Sequence, residues 1–70
     1  MKLTLKINCN NAAFGGNSRD ARHEIRRILL EQAEKMRFYP LDGLSEPFSV
    51  KDVNGNTVGT ITVEGVQNED

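Results

Sequence analysis

The feature that most constrains the fold is a turn signal between two β-forming segments near the end of the chain, the dipeptide Asn54-Gly55. Phe48 and Val50 alternate with polar residues before it, and Ile61 and Val63 do so after it. Such alternation on both sides of Asn-Gly predicts a β-hairpin, with a loop of two or four residues. Either length places these four apolar side chains on one face, because side chains alternate along a strand.

A further strand is predicted at the start of the chain, where Leu3, Leu5 and Ile7 alternate with polar residues. The next segment, residues 8–17, is rich in Asn and Gly and predicts a loop. Phe14 is the large apolar residue of that loop, so we expect it to fold back onto the core.

An amphipathic helix of about five turns is predicted between these strands. Ser18 is its expected N-cap, Asp20 suits the positive end of its dipole, and Tyr39-Pro40 ends it. A loop through Asp42-Gly43 to Pro47 follows, and the polar residues from Gln67 to the end are expected to be frayed. The expected core-facing residues of the helix are Ala21, Ile25, Ile28, Leu29, Ala33 and Met36.

The predicted fold is α+β, a single β-α-β-β domain over residues 1–70 in which one helix packs on one face of a three-stranded antiparallel sheet. Strand order 1-3-2 is favoured, and order 3-2-1 with strands one and two parallel is the alternative. The other sheet face is expected to be solvated, with a dimer or partner surface as the alternative. That face would carry Lys2, Thr4, Lys6, Ser49, Lys51, Thr60 and Thr62, with Val53 and Val58 near its hairpin end.

Composition narrows the function classes. Seventy residues support one thin core, and a formal net charge of -1 leaves electrostatic recognition to local segregation of charge. One cysteine, Cys9, excludes an internal disulfide, and with one histidine, His23, it leaves too few ligands for a structural zinc site. The first residues form neither a signal peptide nor a membrane span, so a cytoplasmic location is expected. No metal and no cofactor are predicted.

Catalysis is not predicted. Cys9 and His23 are the only candidates for a thiol nucleophile and its base, and nothing in their spacing brings them together. A cysteine that follows an alternating strand is more often a small core residue. The acids Asp20, Glu24 and Glu31 share one flank of the helix, where exposed carboxylates have no reason for a perturbed pKa.

The helix also carries a basic flank, at about 100° of rotation per residue. We interpret this flank, with Leu30 as its apolar centre, as a protein-binding surface. The alternative is a solvated helix face stabilised by the ion pairs Glu24–Arg27, Arg27–Glu31 and Glu31–Lys35. The cationic side chains of the basic flank are Arg19, Arg22, His23, Arg26, Arg27 and Arg37.

A second candidate site is an anion site at the start of the helix. Gly15-Gly16 leads into the helix N-terminus beside Arg19 and Arg22, which combines free backbone N–H groups with guanidinium donors. A nucleotide or nucleic-acid phosphate would suit these groups. The spacing matches neither a P-loop nor a dinucleotide fingerprint.

Three segments resemble a family of short proteins encoded by tailed bacteriophages and prophages. They are Asn11-Ala12-Ala13-Phe14, the helix core Ile25-Arg26-Arg27-Ile28-Leu29, and the closing segment Asp52-Val53-Asn54-Gly55-Asn56-Thr57-Val58-Gly59. The chain differs from that pattern in its longer connection from Phe38 to Pro47. The resemblance spans nearly the whole chain, and it brings no catalytic residue or cofactor.

The resemblance implies a phage accessory protein that binds a bacterial host protein, as a counter-defence inhibitor of the anti-CRISPR kind would. The hypothesis from another class is a binder of a phosphorylated small molecule held at Gly15, Gly16, Arg19 and Arg22. A third is weak nucleic-acid binding along the same arginines, which predicts strong salt dependence. A homodimer through the open sheet face or an edge strand is also an expectation, because so small a core is marginal.

Overall fold

The computed structural model describes residues 1–39 and 47–65. The elements are β1 (Lys2–Ile7), a 3-10 turn (Ala12–Phe14), α1 (Ser18–Lys35), β2 (Phe48–Lys51) and β3 (Thr57–Glu64). Both strand pairs are antiparallel in the order β1-β3-β2, so the predicted α+β architecture and strand order are confirmed. The predicted loop before Pro47 and the frayed tail fall in residues 40–46 and 66–70, outside the described part of the chain.

The apolar face of the sheet follows the alternation in the sequence. Leu5 of β1 and Phe48 of β2 both pair with Ile61 of β3, which places their side chains on the same face. α1 packs against the 3-10 turn and β2, and Phe14 is fully buried as expected. The residues predicted for the polar face are all exposed or half-buried, namely Lys2, Thr4, Lys6, Ser49, Lys51, Thr60 and Thr62. The buried core consists of Phe14, Ile28, Val50, Val58 and Ile61.

The hairpin loop has neither two nor four residues, which corrects the prediction. The Asp52 N–H donates to the Asn56 carbonyl at 2.9 Å, and this hydrogen bond closes a loop of three residues, 53–55. Within the loop, the Gly55 N–H donates to the Asp52 carbonyl at 3.0 Å. Gly55 has φ 87°, a left-handed conformation that glycine adopts without strain. A turn that ends in such a residue is a common three-residue hairpin loop.

This loop displaces Val58 from its predicted position. Val50 pairs with Gly59 and Lys51 with Thr57, so Val58 is an extra residue in β3 without a partner on β2. Such a bulge redirects a side chain. Val58 is accordingly only 8% exposed and joins the core, rather than lying on the polar face.

Gly59 is required where β1 and β3 approach closely. A methyl group at this position would overlap the Lys6 carbonyl oxygen. We therefore expect Gly59→Ala to lower the free energy of unfolding by about 1–3 kcal/mol, the usual cost of overpacking, measured by urea denaturation. Gly16→Ala is the matched control, because a methyl group there meets nothing within 4 Å. Equal stability of the two variants would contradict the close approach.

Candidate partner-binding face

The rotation of α1 about its axis differs from the predicted one and decides which side chains face outward. The buried residues of the helix are Glu24, Ile28 and Gln32. Of the six residues predicted to face the core, Ile28 is buried and Ala21, Ile25 and Met36 pack against the core, whereas Leu29 and Ala33 are exposed, Leu29 by 47%. The buried stripe is therefore rotated by roughly 50° from the predicted stripe, at about 100° per residue. Glu24 and the side-chain oxygen of Gln32 find hydrogen-bond partners in this interface, whereas the buried Gln32 Nε2 has no partner among the described residues.

Glu24 is the first of these polar residues, and it links the helix to the hairpin. Its carboxylate accepts two hydrogen bonds from Arg27, both at 2.9 Å, and one from the Val53 N–H at 2.8 Å. The Arg27 hydrogen bond lowers the pKa of Glu24, burial opposes this, and the Val53 hydrogen bond lowers it further, with a net downward shift. The prediction of an exposed acid with an ordinary pKa is therefore wrong for Glu24, which is 7% exposed.

A second buried carboxylate, Asp52, organises the hairpin loop. One oxygen accepts the N–H groups of Asn54 and Asn56 at 2.8 and 2.9 Å, and the other accepts the Asn11 side-chain amide at 2.7 Å. Burial raises the pKa of Asp52, but these hydrogen bonds outweigh burial and lower it overall. The hairpin is thus tied to the loop after β1 by Asp52 and to the helix by Glu24.

The other end of α1 is held by Gln32. Its side-chain oxygen accepts a hydrogen bond from the Tyr39 hydroxyl at 3.0 Å. The Tyr39 ring stacks on Phe48 of β2, with ring centroids 3.9 Å apart. Glu24 and Gln32 therefore fix the rotation of the helix over both of its halves.

The side of α1 opposite these contacts is exposed, and we call it the outward face. Its N-terminal half is basic, and a shallow depression of about 280 Å³ lies among Arg19, Arg22, His23 and Arg26. Its C-terminal half carries exposed apolar side chains, among them Leu30, which is 55% exposed and lies beside the exposed ion pair of Glu34 and Arg37. Within residues 1–39 and 47–65, none of the ion pairs involves these four cationic side chains. The outward face consists of Arg19, Arg22, His23, Arg26, Leu29, Leu30 and Ala33.

Two arginines of the predicted basic flank are used elsewhere. Arg27 is bound by Glu24 and Glu31 and donates to the Lys51 carbonyl at 3.3 Å, so it belongs to the link between helix and hairpin. Arg37 pairs with Glu34 at 2.8 Å, and its guanidinium carbon lies 5.7 Å from the Phe38 ring centroid. The three ion pairs that the sequence predicted along the helix are all present.

The geometry at the start of α1 argues against the predicted anion site. The N-cap is Asn17 rather than Ser18, and its side-chain oxygen accepts the Asp20 N–H at 2.9 Å. The Asp20 side chain lies against Gly15, where a methyl group would overlap it. A carboxylate beside the helix N-terminus repels an anion there. Gly15 and Gly16 also do not line the depression that contains Arg19 and Arg22.

No known protein family, curated protein or solved structure shows significant similarity to the chain. The resemblance to phage proteins therefore stays a prediction. No helix in the described part of the chain combines the length and the apolar character that crossing a membrane requires. Residues 1–39 and 47–65 contain no group of three His, Cys, Asp or Glu side chains that could hold a metal ion. The outward face is therefore the candidate site, defined by its exposure and charge.

The buried carboxylates predict acid sensitivity. Glu24 and Asp52 have pKa values below their ordinary ones in the folded protein, so they stabilise it above the unfolded carboxyl pKa of about 4. That stability is lost as the pH falls through their folded pKa values. The free energy of unfolding, measured in urea from pH 7 to pH 3, should therefore fall steeply at the acid end.

Glu24→Gln isolates the contribution of one carboxylate. We expect it to lower the free energy of unfolding at pH 7 by about 1–3 kcal/mol, because Arg27 loses its buried partner, and to flatten the acid dependence. Glu34→Gln is the control, because Glu34 pairs with an arginine at a site where its side chain is 67% exposed, and it should change stability by less than about 0.5 kcal/mol. A Glu24→Gln curve parallel to the wild type would refute this role.

Proposed function

We propose that this protein is a small non-enzymatic binding protein that uses the outward face to bind an acidic patch on a partner protein. The observation that carries the proposal is the coexistence, on one helix, of exposed leucines and of cationic side chains that lie in no ion pair of the described residues. Arginine is enriched among the residues that dominate protein interfaces, and it binds carboxylates through two parallel hydrogen bonds.

The outward face suits a protein better than a purely ionic ligand. Leu29 and Leu30 continue the surface beyond Arg26, and exposed apolar side chains beside charged ones are typical of the centre and rim of an interface. A partner surface with carboxylates beside an apolar pocket would satisfy both halves of the face. The hydrogen bonds of Glu24 and Gln32 hold the helix in place before binding, which would reduce the entropy lost on binding.

The resemblance described above supports a bacterial host protein as the partner. Small phage accessory proteins often act by stoichiometric binding, so inhibition of a host defence protein, of the anti-CRISPR kind, is the biological role we propose. Such binding would take place in the bacterial cytoplasm. Its target is to be identified by capture from a host lysate and mass spectrometry.

Leu30→Glu tests the proposal. We expect it to abolish capture of the partner, because it places a carboxylate at the centre of a surface that binds carboxylates, while the circular dichroism spectrum and melting temperature stay unchanged. Ser49→Glu adds the same charge to an exposed residue of the polar sheet face and should leave capture intact. Unchanged binding by Leu30→Glu would show that the outward face is not the partner-binding surface.

A second candidate function is suggested by the depression among the four cationic side chains, which would also suit the phosphates of a nucleotide or nucleic acid. The chain has no Trp and one Tyr, so a bound nucleotide would dominate its ultraviolet spectrum. Excess absorbance at 260 nm in the gently purified protein, lost in an Arg19→Ala, Arg22→Ala double variant, would favour this function. A clean spectrum would count against tight nucleotide binding.

A further inference from the structure

The exposed residues of α1 follow a coiled-coil spacing. Arg19, Arg22, Arg26, Leu29 and Ala33 recur at alternating intervals of three and four residues, and all five are exposed. We propose that these residues, which we call the seam, receive one partner α-helix that is acidic at one end and apolar at the other. This proposal rests on the proposed function and specifies its partner.

The spacing favours a helix over other partner surfaces. Residues that alternate at three and four average 3.5 per turn, and they form the nearly straight line along which two helices pack. From Arg19 to Ala33 the seam is about 21 Å long at a rise of 1.5 Å per residue. Four turns of a partner helix would fit along it. Ala33 is small, so two helix backbones can approach closely at that end.

The chemistry of the seam changes along its length and sets the composition of the partner. Three guanidinium groups occupy its N-terminal part, with His23 beside them, and Leu29 and Ala33 form its apolar part with Leu30 beside them. The nearby acids Glu31 and Glu34 already pair with Arg27, Lys35 and Arg37. Complementarity therefore requires carboxylates opposite the arginines and apolar side chains opposite Leu29 and Ala33.

Neither a second copy of the chain nor a nucleic acid meets this requirement as well. In the two-fold antiparallel pairing that brings Leu29 of one copy onto Leu30 of the other, Arg26 would lie opposite Ala33 and Arg22 opposite Arg37, so in that register these arginines would face no carboxylate. Duplex DNA presents a uniform row of phosphates and offers no apolar segment to Leu29 and Leu30. A helix with distinct acidic and apolar ends complements both parts of the seam.

Designed peptides test the proposal while the natural partner is still unidentified. The probes are fluorescent helical peptides of about 20 residues, long enough to span the seam, with equal composition. In the two block peptides, Glu occupies the seam-facing positions of one half, and Leu and Ala occupy the seam-facing positions of the other half. The Glu half is N-terminal in one block peptide and C-terminal in the other. In the mixed peptide, Glu and Leu alternate along the same positions.

We expect one of the two block peptides to bind at least about 10-fold more tightly than the mixed peptide by fluorescence anisotropy, a difference of about 1.4 kcal/mol. Leu29→Glu and Ala33→Glu should each remove that preference. Phe38→Glu, at an exposed apolar residue outside the seam, should not. Equal binding of block and mixed peptides, no binding of either, or tighter binding of a duplex DNA at the same salt concentration would overturn the proposal.

The failure of this proposal can be told apart from failure of the proposed function. If the block peptides show no preference but Leu30→Glu still abolishes capture of the partner protein, the outward face binds a protein that does not present a graded helix. If Leu30→Glu leaves capture intact, the outward face is not the binding site, and both proposals fail.

Discussion

The Glu24 carboxylate joins helix α1 to the hairpin loop. It binds Arg27 through two hydrogen bonds on its own helix and accepts the Val53 N–H from the hairpin loop. A buried carboxylate is costly unless its hydrogen bonds are satisfied, and breaking such a pair costs far more than the pair contributes. The folded chain must therefore keep this side of α1 against the hairpin. Together with the Gln32–Tyr39 hydrogen bond, this contact fixes which residues of the helix are buried and which are exposed.

The same constraint divides the arginines of the chain by use. Arg27 lies on the side of the helix that faces the hairpin and is bound there by Glu24, Glu31 and the Lys51 carbonyl. Arg19, Arg22 and Arg26, on the outward face, lie in no ion pair of the described residues. Rotation by roughly 50°, at about 100° per residue, also exposes Leu29 and Ala33. A candidate interface with basic and apolar halves is the consequence of how polar residues are buried.

Much of the fold could be predicted from local patterns. The alternation around Leu5, Val50 and Ile61 predicted the strands and their faces, and Phe14 was correctly expected to be buried because it is the one large apolar residue of its loop. The helix rotation could not be predicted, because the apolar residues recur at helical spacing and were all assigned to the core. Glu24 lies next to that apolar stripe in the sequence pattern and looks like an ordinary exposed acid. The burial of Val58 was not predicted, because the alternation of apolar and polar residues does not reveal an extra residue in a strand. The candidate site was predicted in part, with Leu30 and four of six basic side chains.

The sequence by itself determined the elements, their order and the charges available on the helix, because strand alternation, helical spacing and turn residues act over a few neighbouring positions. Only the tertiary structure decided which of those charges form ion pairs within residues 1–39 and 47–65 and which do not. Glu24 is buried because its carboxylate meets the N–H of Val53, 29 positions away along the chain. No local pattern contains that contact, and it is this long-range hydrogen bond that turns one side of α1 toward the hairpin and leaves the other exposed.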